Sequence, residues 1–250
     1  FGICLMTQTF RVYQTISNGA EGNTLLRQKQ YYYNDVNLGK WIIRNKIMNQ
    51  REALNNFRNK SEALKEAIAL LDHSIGQLSE REEIGKMELL GIEGNAARIY
   101  FSHMFDNSQW KRRQPRIKAD FTNATLDFGY TLLFNFVDAL LSAYGFDTYY
   151  GVLHTCFYMR KSLVCDLMEP MRPLIDLQVR KAIKLGQCKE IDFQIINKRF
   201  LLPWKENPKY LSFLMKPIID NKDEIFLFIQ QYYRSFMKER EAEDFPVFTL

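Results

Sequence analysis

The sequence predicts a mainly α protein that begins with the remnant of a β domain, so that the fold is α+β overall. Two observations support this prediction. From about Leu25 onward, apolar residues recur at spacings of three and four, which is typical of amphipathic helices. The opening stretch FGICLMTQTFRVYQTI is instead rich in β-branched and aromatic residues without a helical period. We therefore divide the chain into a β remnant, residues 1–29, and a helical linker with an α-helical domain, residues 30–250.

The predicted elements follow one another along the chain. One or two strands are followed by a loop at SNGAEGN, and a long helix then runs from about Leu25 to Phe57. A second helix follows its expected N-cap Ser61, and a third contains GIEGNAARIYF. A fourth, NATLDFGYTLLFNFVDALLSAYGF, is apolar on nearly all sides, which predicts a central position. Helical periods return at 163–185 and 208–241, with a less regular stretch between them.

Strands are predicted only within about the first thirty residues. Two isolated strands do not make a stable sheet. We therefore expect them to pair with strands outside this chain segment or to contact another chain. The chain also begins at Phe1 rather than at a methionine, and we expect it to have lost its beginning.

Composition places the chain among ordinary globular proteins. Its 250 residues are 46% hydrophobic and 25% charged, so bulk disorder is not expected. The net charge of +5 is compatible with a polyanionic partner. The four cysteines form no C-x-x-C pair, which predicts reduced thiols in a cytoplasmic protein. No signal peptide or membrane span is predicted, because Asn135 and Asp138 interrupt the longest apolar stretch.

Common cofactor and nucleophile signatures are absent from the sequence. It contains no G-x-G-x-x-G, G-x-x-x-x-G-K-[ST], G-x-S-x-G or H-E-x-x-H. None of His73, His103 and His154 has a glutamate three residues before it, which excludes the E-x-x-H pattern of di-iron bundles. Three regions with candidate functional residues remain.

The first region is GIEGNAARIYF, which contains Glu93 among apolar neighbours. A carboxylate on such a helix is unfavourable to bury unless it is paired or bound to a cation. Gly94 inside a helix costs about 1 kcal/mol relative to alanine, which indicates that another group approaches closely on that side. The alternatives are an ion pair between Glu93 and Arg98 or another base, and simple exposure to water.

The second region, residues 151–176, holds His154, Asp166 and Glu169. DLME fits a capping box, with Asp166 as N-cap and Glu169 at N3, and His154 fits a core histidine bonded to a backbone carbonyl. Alternatively, a helix continues through the segment, both acids share one face, and the two following prolines bend the axis. A Glu, a His and an acid from separate helices suit Mg²⁺ or Mn²⁺. The residues alone leave both interpretations open.

The third region is the basic tract KRRQPRIKAD. A solvated loop is one interpretation, and contact with nucleic-acid phosphates is the other, since Arg and Lys supply most of the affinity for the backbone. The predicted DNA-contacting residues in and beyond the tract are Lys111, Arg112, Arg113, Arg116, Lys118, Arg160, Lys161 and Arg172.

Four blocks of the sequence resemble one family. GIEGNAARIYF, FTNATLDFGYTLL, GFDTYYGVLH and RKSLVCDLMEPMRPLID follow in the order and spacing of the CRISPR adaptation integrase, the endonuclease that inserts new spacers into a CRISPR array. LRQKQY and NKIMNQREAL extend the resemblance over essentially the whole chain. Thr148 stands where the family usually has proline. The resemblance implies an N-terminal β domain, most of it before Phe1, and an α-helical catalytic domain.

The resemblance also implies a metal site built from a Glu, a His and an acid. These match Glu93, His154 and Glu169 as catalytic residues and as ligands of Mg²⁺ or Mn²⁺, with Asp166 as a candidate additional acid. The implied reaction joins the 3′-hydroxyl of a spacer precursor to a phosphodiester of the repeat. The implied partners are double-stranded DNA, a second copy of the chain and a small protein of the adaptation complex. The alternatives are a non-catalytic DNA-binding or assembly subunit and a plain helical interaction domain.

Overall fold

A computed structural model describes residues 3–6, 11–14, 23–33, 36–105, 110–154 and 158–250. The α-helices in these ranges are α1 (Thr24–Tyr32), α2 (Val36–Asn55), α3 (Glu62–Glu80), α4 (Lys86–Met104), α5 (Phe121–Tyr144), α6 (Ser162–Met168), α7 (Arg172–Lys184), α8 (Asn207–Asp220) and α9 (Lys222–Met237). The strands form two antiparallel hairpins, β1 (Ile3–Met6) with β2 (Arg11–Gln14) and β3 (Gln194–Ile196) with β4 (Arg199–Leu201). The predicted mainly α fold, preceded by a short β element, is confirmed.

α5 is the central helix, as its composition predicts. It packs against α6, α7, α8 and α9, and most of its side chains are buried. At Gly129 the fit is so close that an added Cβ would lie 2.5 Å from a methyl carbon of Ile175. By length and hydropathy alone α5 can span a membrane, but 61% of its apolar window is buried inside the protein. Its apolar sequence is therefore explained by packing in the core.

The single long helix predicted from Leu25 to Phe57 is wrong, because two helices occupy this region. α1 ends at Tyr32 and α2 begins at Val36. The amphipathic period of both helices favours burial of one face, and that pattern does not reveal the break between them.

α1 is fixed to the segment that follows α5. Asn23 accepts a hydrogen bond from the Leu26 N–H as N-cap, and its amide donates to the carbonyl of Tyr144 at 3.2 Å. The side-chain amide of Gln30 donates to the carbonyl of Asp147 at 2.7 Å. The predicted division of the chain after residue 29 stays a prediction, and α1 spans that position.

α2, α3 and α4 pack against one another. The predicted N-cap of α3 is confirmed, since the Ser61 hydroxyl accepts a hydrogen bond from the N–H of Leu64. Leu64, Leu71 and Leu78 are buried at seven-residue intervals along α3. This spacing keeps one face of α3 against its neighbours.

α6 and α7 are joined by a 3₁₀ turn at Glu169–Met171, so helical structure continues through the segment. The two prolines lack the N–H groups that would bond to the carbonyls of Asp166 and Glu169 in an α-helix. The N–H groups of Glu169 and Arg172 bond to those carbonyls instead. The capping-box interpretation is therefore wrong, because Asp166 lies inside α6 and not at its N-terminus.

β3 and β4 correct the prediction that strands occur only near the N-terminus. They are joined by Asn197 and Lys198, both at positive φ, as a two-residue hairpin turn requires. Each strand has only three residues, too few for a clear alternating pattern.

The thiols of Cys165 and Cys188 are free, in agreement with the predicted reduced cysteines. Cys188 is buried, and its thiol lies 3.3 Å from the Thr125 hydroxyl. The thiols of Cys4 and Cys156 lie outside the described part of the structure.

Candidate active site

Lys46 lies between two carboxylates that come from different parts of the chain. Its Nζ atom is 2.5 Å from Oε1 of Glu93 and 2.7 Å from Oε2 of Glu169. α2 carries the lysine, α4 carries Glu93, and the 3₁₀ turn carries Glu169. The Glu169 side chain is 6% exposed and the Glu93 side chain 20%. Both carboxylates thus converge on one position that is occupied by a positive charge.

Other buried polar residues of α2 hold the 3₁₀ turn in place. The side-chain amide of Asn49 donates to the carbonyl of Pro170 at 2.8 Å and to that of Phe248 at 2.9 Å. Asn45 also bonds to the backbone of Phe248, both as donor and as acceptor. These bonds fix the turn and the C-terminal segment to the face of α2 that carries Lys46.

The charges at this position support one another. Burial by itself raises the pKa of Glu169, but Arg172 and Lys46 outweigh it and hold the pKa at about 2. Arg172 Nη2 lies 2.9 Å from Glu169 Oε1. Burial by itself lowers the pKa of Lys46, but Glu169 and Glu93 outweigh it, so the pKa is raised. At neutral pH the site therefore contains an ionised Glu169 and a protonated Lys46.

The two oxygens of Glu169 face different cations. Oε1 pairs with Arg172, whereas the buried Oε2 faces Lys46, which also donates a hydrogen bond to Glu93. A carboxylate oxygen directed at a cation position is a suitable ligand for a hard divalent ion. The pair Glu93 and Glu169 therefore fits Mg²⁺ or Mn²⁺.

The third predicted ligand, His154, is oriented by Asp166. His154 Nδ1 lies 2.5 Å from Asp166 Oδ1. The N–H groups of Val152 and Leu153 donate to the other oxygen of Asp166 at 2.7 and 3.0 Å. The core-histidine interpretation with a carbonyl partner is wrong, since a carboxylate binds the ring. Nε2 is left as the ring atom that can face a ligand.

Asp166 itself is not placed as an additional ligand. It is completely buried, and its two oxygens accept hydrogen bonds from three backbone N–H groups and the ring of His154. Gly151 makes this packing possible, because a Cβ there would lie 2.6 Å from Asp166 Oδ2 and 2.7 Å from Ser162 Cβ. Asp166 thus organises the loop that presents His154.

Not all predicted ligands meet at one point. After Arg172 and Lys46, His154 also lowers the pKa of Glu169, so its ring is near enough to interact with that carboxylate. Within the described ranges, however, no three Asp, Glu, His or Cys side chains are grouped closely enough to hold one ion. The three-ligand set of Glu93, His154 and Glu169 stays a prediction.

α4 presents Glu93 beside an open surface. The predicted partner Arg98 bonds to Asn95, and Lys46 is the base that pairs with Glu93. An added Cβ at Gly94 would meet no atom of the described structure within 4 Å. The sequence suggested that another group approaches Gly94 closely, but no group in the described part of the protein does so.

Three of the predicted DNA-contacting residues form ion pairs with acids of this chain. Arg113 lies 2.5 Å from Asp127, and Arg172 is paired with Glu169. Lys161 lies 2.6 Å from Asp138. Lys118 and Arg160 are partly buried. The predicted residues that are exposed are Lys111, Arg112 and Arg116.

A buried acid with two tyrosines lies near Arg172. Tyr100 and Tyr130 donate hydrogen bonds to Asp176, and the guanidinium of Arg172 lies 4.7 Å from the centre of the Tyr130 ring. Burial raises the pKa of Asp176 to about 6, although the hydroxyls of Tyr130 and Tyr100 favour its ionised form. The sequence did not indicate this cluster.

Lys46 was also missed from the sequence. The signal was present in NKIMNQ, where Asn45, Lys46, Asn49 and Gln50 fall at one side of an otherwise amphipathic helix, and all four are buried. Four polar residues on the buried side of one helix indicate a functional or structural polar cluster.

The family model for CRISPR associated protein Cas1 matches residues 1–214. The chain belongs to the Cas1 family. The resemblance seen in the four sequence blocks is therefore confirmed.

Two Cas1 relatives illustrate the sequence similarity. CRISPR-associated endonuclease Cas1 1 of Thermodesulfovibrio yellowstonii is 35% identical over 206 residues, which are 77% of this chain and 64% of the relative. CRISPR-associated endonuclease Cas1 of Leptospira interrogans is 32% identical over 188 residues, which are 68% of this chain and 73% of the relative. The chain thus spans less than two thirds of the first relative's length.

Solved structures share the Cas1 fold of this chain. A partial Cas6-RT-Cas1–Cas2 complex contains a chain with a TM-score of 0.80 and 21% identity, covering 94% of this chain and 76% of that one. A casposase bound to an integration product has a TM-score of 0.74 and 22% identity, covering 92% of this chain and 74% of that one.

Proposed function

We propose that this Cas1 chain is the catalytic part of a CRISPR adaptation integrase, a divalent-metal-dependent DNA endonuclease and strand transferase. The 3′-hydroxyl of a spacer precursor attacks a phosphodiester of the CRISPR repeat, so that one P–O bond forms, another breaks, and the cleaved repeat strand leaves with a 3′-hydroxyl. The observation that carries the proposal is the convergence of Glu93 and Glu169, from separate elements, on one cation position. Its membership of the Cas1 family supports it.

The residues divide the work of the reaction. Glu93, Glu169 and the Nε2 atom of His154 would hold Mg²⁺ or Mn²⁺, which supplies Lewis-acid stabilisation of a phosphate during attack on it. Asp166 keeps the proton of His154 on Nδ1, so that Nε2 carries the lone pair. Arg172 keeps Glu169 ionised and correctly placed.

Charge on the surface supports a DNA substrate. Lys111, Arg112 and Arg116 are exposed in one short tract, and the chain has a net charge of +5. Such residues bind the phosphate backbone without reading the sequence. We propose double-stranded DNA as substrate and the cytoplasm as the location.

Assembly partners are part of the same proposal. A solved chain with this fold belongs to a complex that contains Cas1 and Cas2. We propose that this chain likewise acts as a homodimer with a small partner protein of the adaptation complex.

The test is a strand-transfer assay with a labelled branched DNA and Mn²⁺. Glu93→Gln and His154→Ala are expected to lower the rate by about 100-fold or more, because each removes a group that stabilises charge at the reacting phosphate. Glu88→Gln is the matched control, since Glu88 lies on the same helix and pairs with Arg81 at the surface. Undiminished activity in both site variants, or full activity in EDTA, contradicts the proposal.

A non-catalytic DNA-binding or assembly subunit is the second candidate. It is favoured by the absence, within the described ranges, of three Asp, Glu, His or Cys side chains close enough to hold one metal ion. It predicts DNA binding that survives EDTA and no strand transfer at any Mn²⁺ concentration. The same assay, combined with a binding measurement, distinguishes the two.

A further inference from the structure

We propose that Lys46 is a built-in counter-ion that holds the site together without metal and that its ammonium must leave when a divalent ion binds. The inference rests on the proposed metal site and extends it to a residue outside the predicted ligand set. Lys46 thereby acts as a positioning residue that sets the affinity for metal.

The distances indicate that the Lys46 ammonium and a divalent ion compete for one position. One oxygen of each carboxylate lies within 2.7 Å of Lys46 Nζ. Oxygen ligands of Mg²⁺ lie at about 2.0–2.1 Å from the ion, which is a similarly short distance. A metal ion bound by both oxygens would overlap the ammonium. The flexible stem of lysine allows its head to move while the helix stays in place.

Electrostatics explains why a cation is needed there at all times. Glu93 and Glu169 are carried by different elements, and both are largely buried. Two like charges at such a position repel each other, and the repulsion is stronger where water is excluded. Lys46 balances them until a divalent ion replaces it, so the carboxylates stay close to their binding geometry.

The first test compares Lys46→Met with the wild-type chain. Without metal, the variant should melt roughly 5–10 °C lower, because Glu93 loses its buried partner and Glu169 keeps only Arg172. Its dissociation constant for Mn²⁺ should fall about tenfold, because no paired ammonium has to be displaced. The electron paramagnetic resonance signal of free Mn²⁺ measures this constant. Saturating Mn²⁺ should close much of the gap in melting temperature.

Lys40→Met is the matched control. Lys40 is a second buried lysine of α2, but its Nζ donates to the backbone carbonyl of Arg81 at 2.8 Å. Its loss should lower stability equally with and without Mn²⁺ and leave the Mn²⁺ affinity unchanged. Unchanged or weaker Mn²⁺ binding in Lys46→Met, with Mn²⁺ bound by the wild type, overturns the proposal.

A second measurement uses the wild-type chain and does not depend on how the variant folds. Lysines are acetylated with and without saturating Mn²⁺ and quantified by mass spectrometry. Lys46 should become several-fold more reactive with Mn²⁺, while Lys40 stays constant. Constant or reduced labelling of Lys46 overturns the exchange.

The outcome is separable from that of the proposed function. Mn²⁺ binding with exchange of Lys46, but without strand transfer, refutes the integrase and leaves the exchange standing. Metal-dependent strand transfer without any response of Lys46 refutes only the exchange.

Discussion

Nδ1 of His154 lies 2.5 Å from Oδ1 of Asp166, an acid with no exposed surface. The same carboxylate accepts hydrogen bonds from the N–H groups of Val152, Leu153 and His154. One buried acid therefore determines both the path of the loop and the orientation of the ring. Such a partner behind a ligand is commonly as important as the ligand itself.

Asp166→Asn should lower strand transfer by about 10–100-fold, the usual effect of removing the acid behind a ligand histidine. The amide keeps the size of the side chain but replaces one acceptor oxygen with a donor that faces N–H groups. The rate of strand transfer and the Mn²⁺ affinity measure this effect. Asp138→Asn, on a partly buried acid of α5 that pairs with Lys161, is the control. A fully active Asp166→Asn chain would exclude the positioning role.

Gly151→Ala should destabilise the chain by about 1–3 kcal/mol, the range for overpacking of a filled interior. The new Cβ would lie 2.6 Å from Asp166 Oδ2 and 2.9 Å from the carbonyl oxygen of His154. The free energy of unfolding in urea measures the change. A stability equal to that of the wild type would mean that this loop has room to adjust.

Gly94→Ala should have the opposite effect on stability and raise it by about 0.5–1 kcal/mol, because alanine favours a helix and the methyl group meets open space. We expect strand transfer to fall nonetheless, since a DNA backbone that approaches beside Glu93 would meet the methyl group. Urea unfolding and the strand-transfer rate are measured on the same preparation. Raised stability with an undiminished rate would show that DNA does not approach this glycine.

Asp176 should make stability fall as the pH rises from about 4 to 6. Its pKa is raised from 3.8 to about 6 in the folded chain, so the native state holds this proton over a range in which the unfolded state has lost it. The loss from this residue amounts to about 3 kcal/mol in total. Asp176→Asn keeps an acceptor for the tyrosines and has no proton to lose.

The measurement for Asp176 is the difference in unfolding free energy between Asp176→Asn and the wild type at pH 4, 5, 6 and 7. The difference should grow in favour of the variant up to pH 6 and level off by about pH 7, while contributions from other titrating groups cancel. A difference that is independent of pH would mean that Asp176 keeps an ordinary pKa.

The apolar pattern of the sequence predicted the long helices better than the breaks and short strands between them. The apolar period located α3 and α5, and Ser61 marked the start of α3 correctly. The break between α1 and α2 and the hairpin of β3 and β4 were missed. A break and a three-residue strand depend on a few residues whose conformation is decided by what they pack against.

The candidate ligands Glu93, His154 and Glu169 were named from the sequence because the blocks that carry them resemble a known family. The partners of these ligands were not named. Lys46 is 47 residues from Glu93, and no local spacing relates the two. Arg113 and Arg172 were expected to face DNA, but each is paired with an acid inside the protein.

The sequence by itself determined that the chain is mainly helical, that α5 is central, and which acids and which histidine belong to the family blocks. The helical content and the central position of α5 follow from residue type and period, which act along the chain, whereas the choice of acids and histidine rests on the resemblance to the family. Only the tertiary structure decided that Lys46 sits between Glu93 and Glu169 and that Asp166 supports His154. Pairing of this kind depends on how helices are rotated and packed together, and a buried charge takes whichever partner that packing brings within reach.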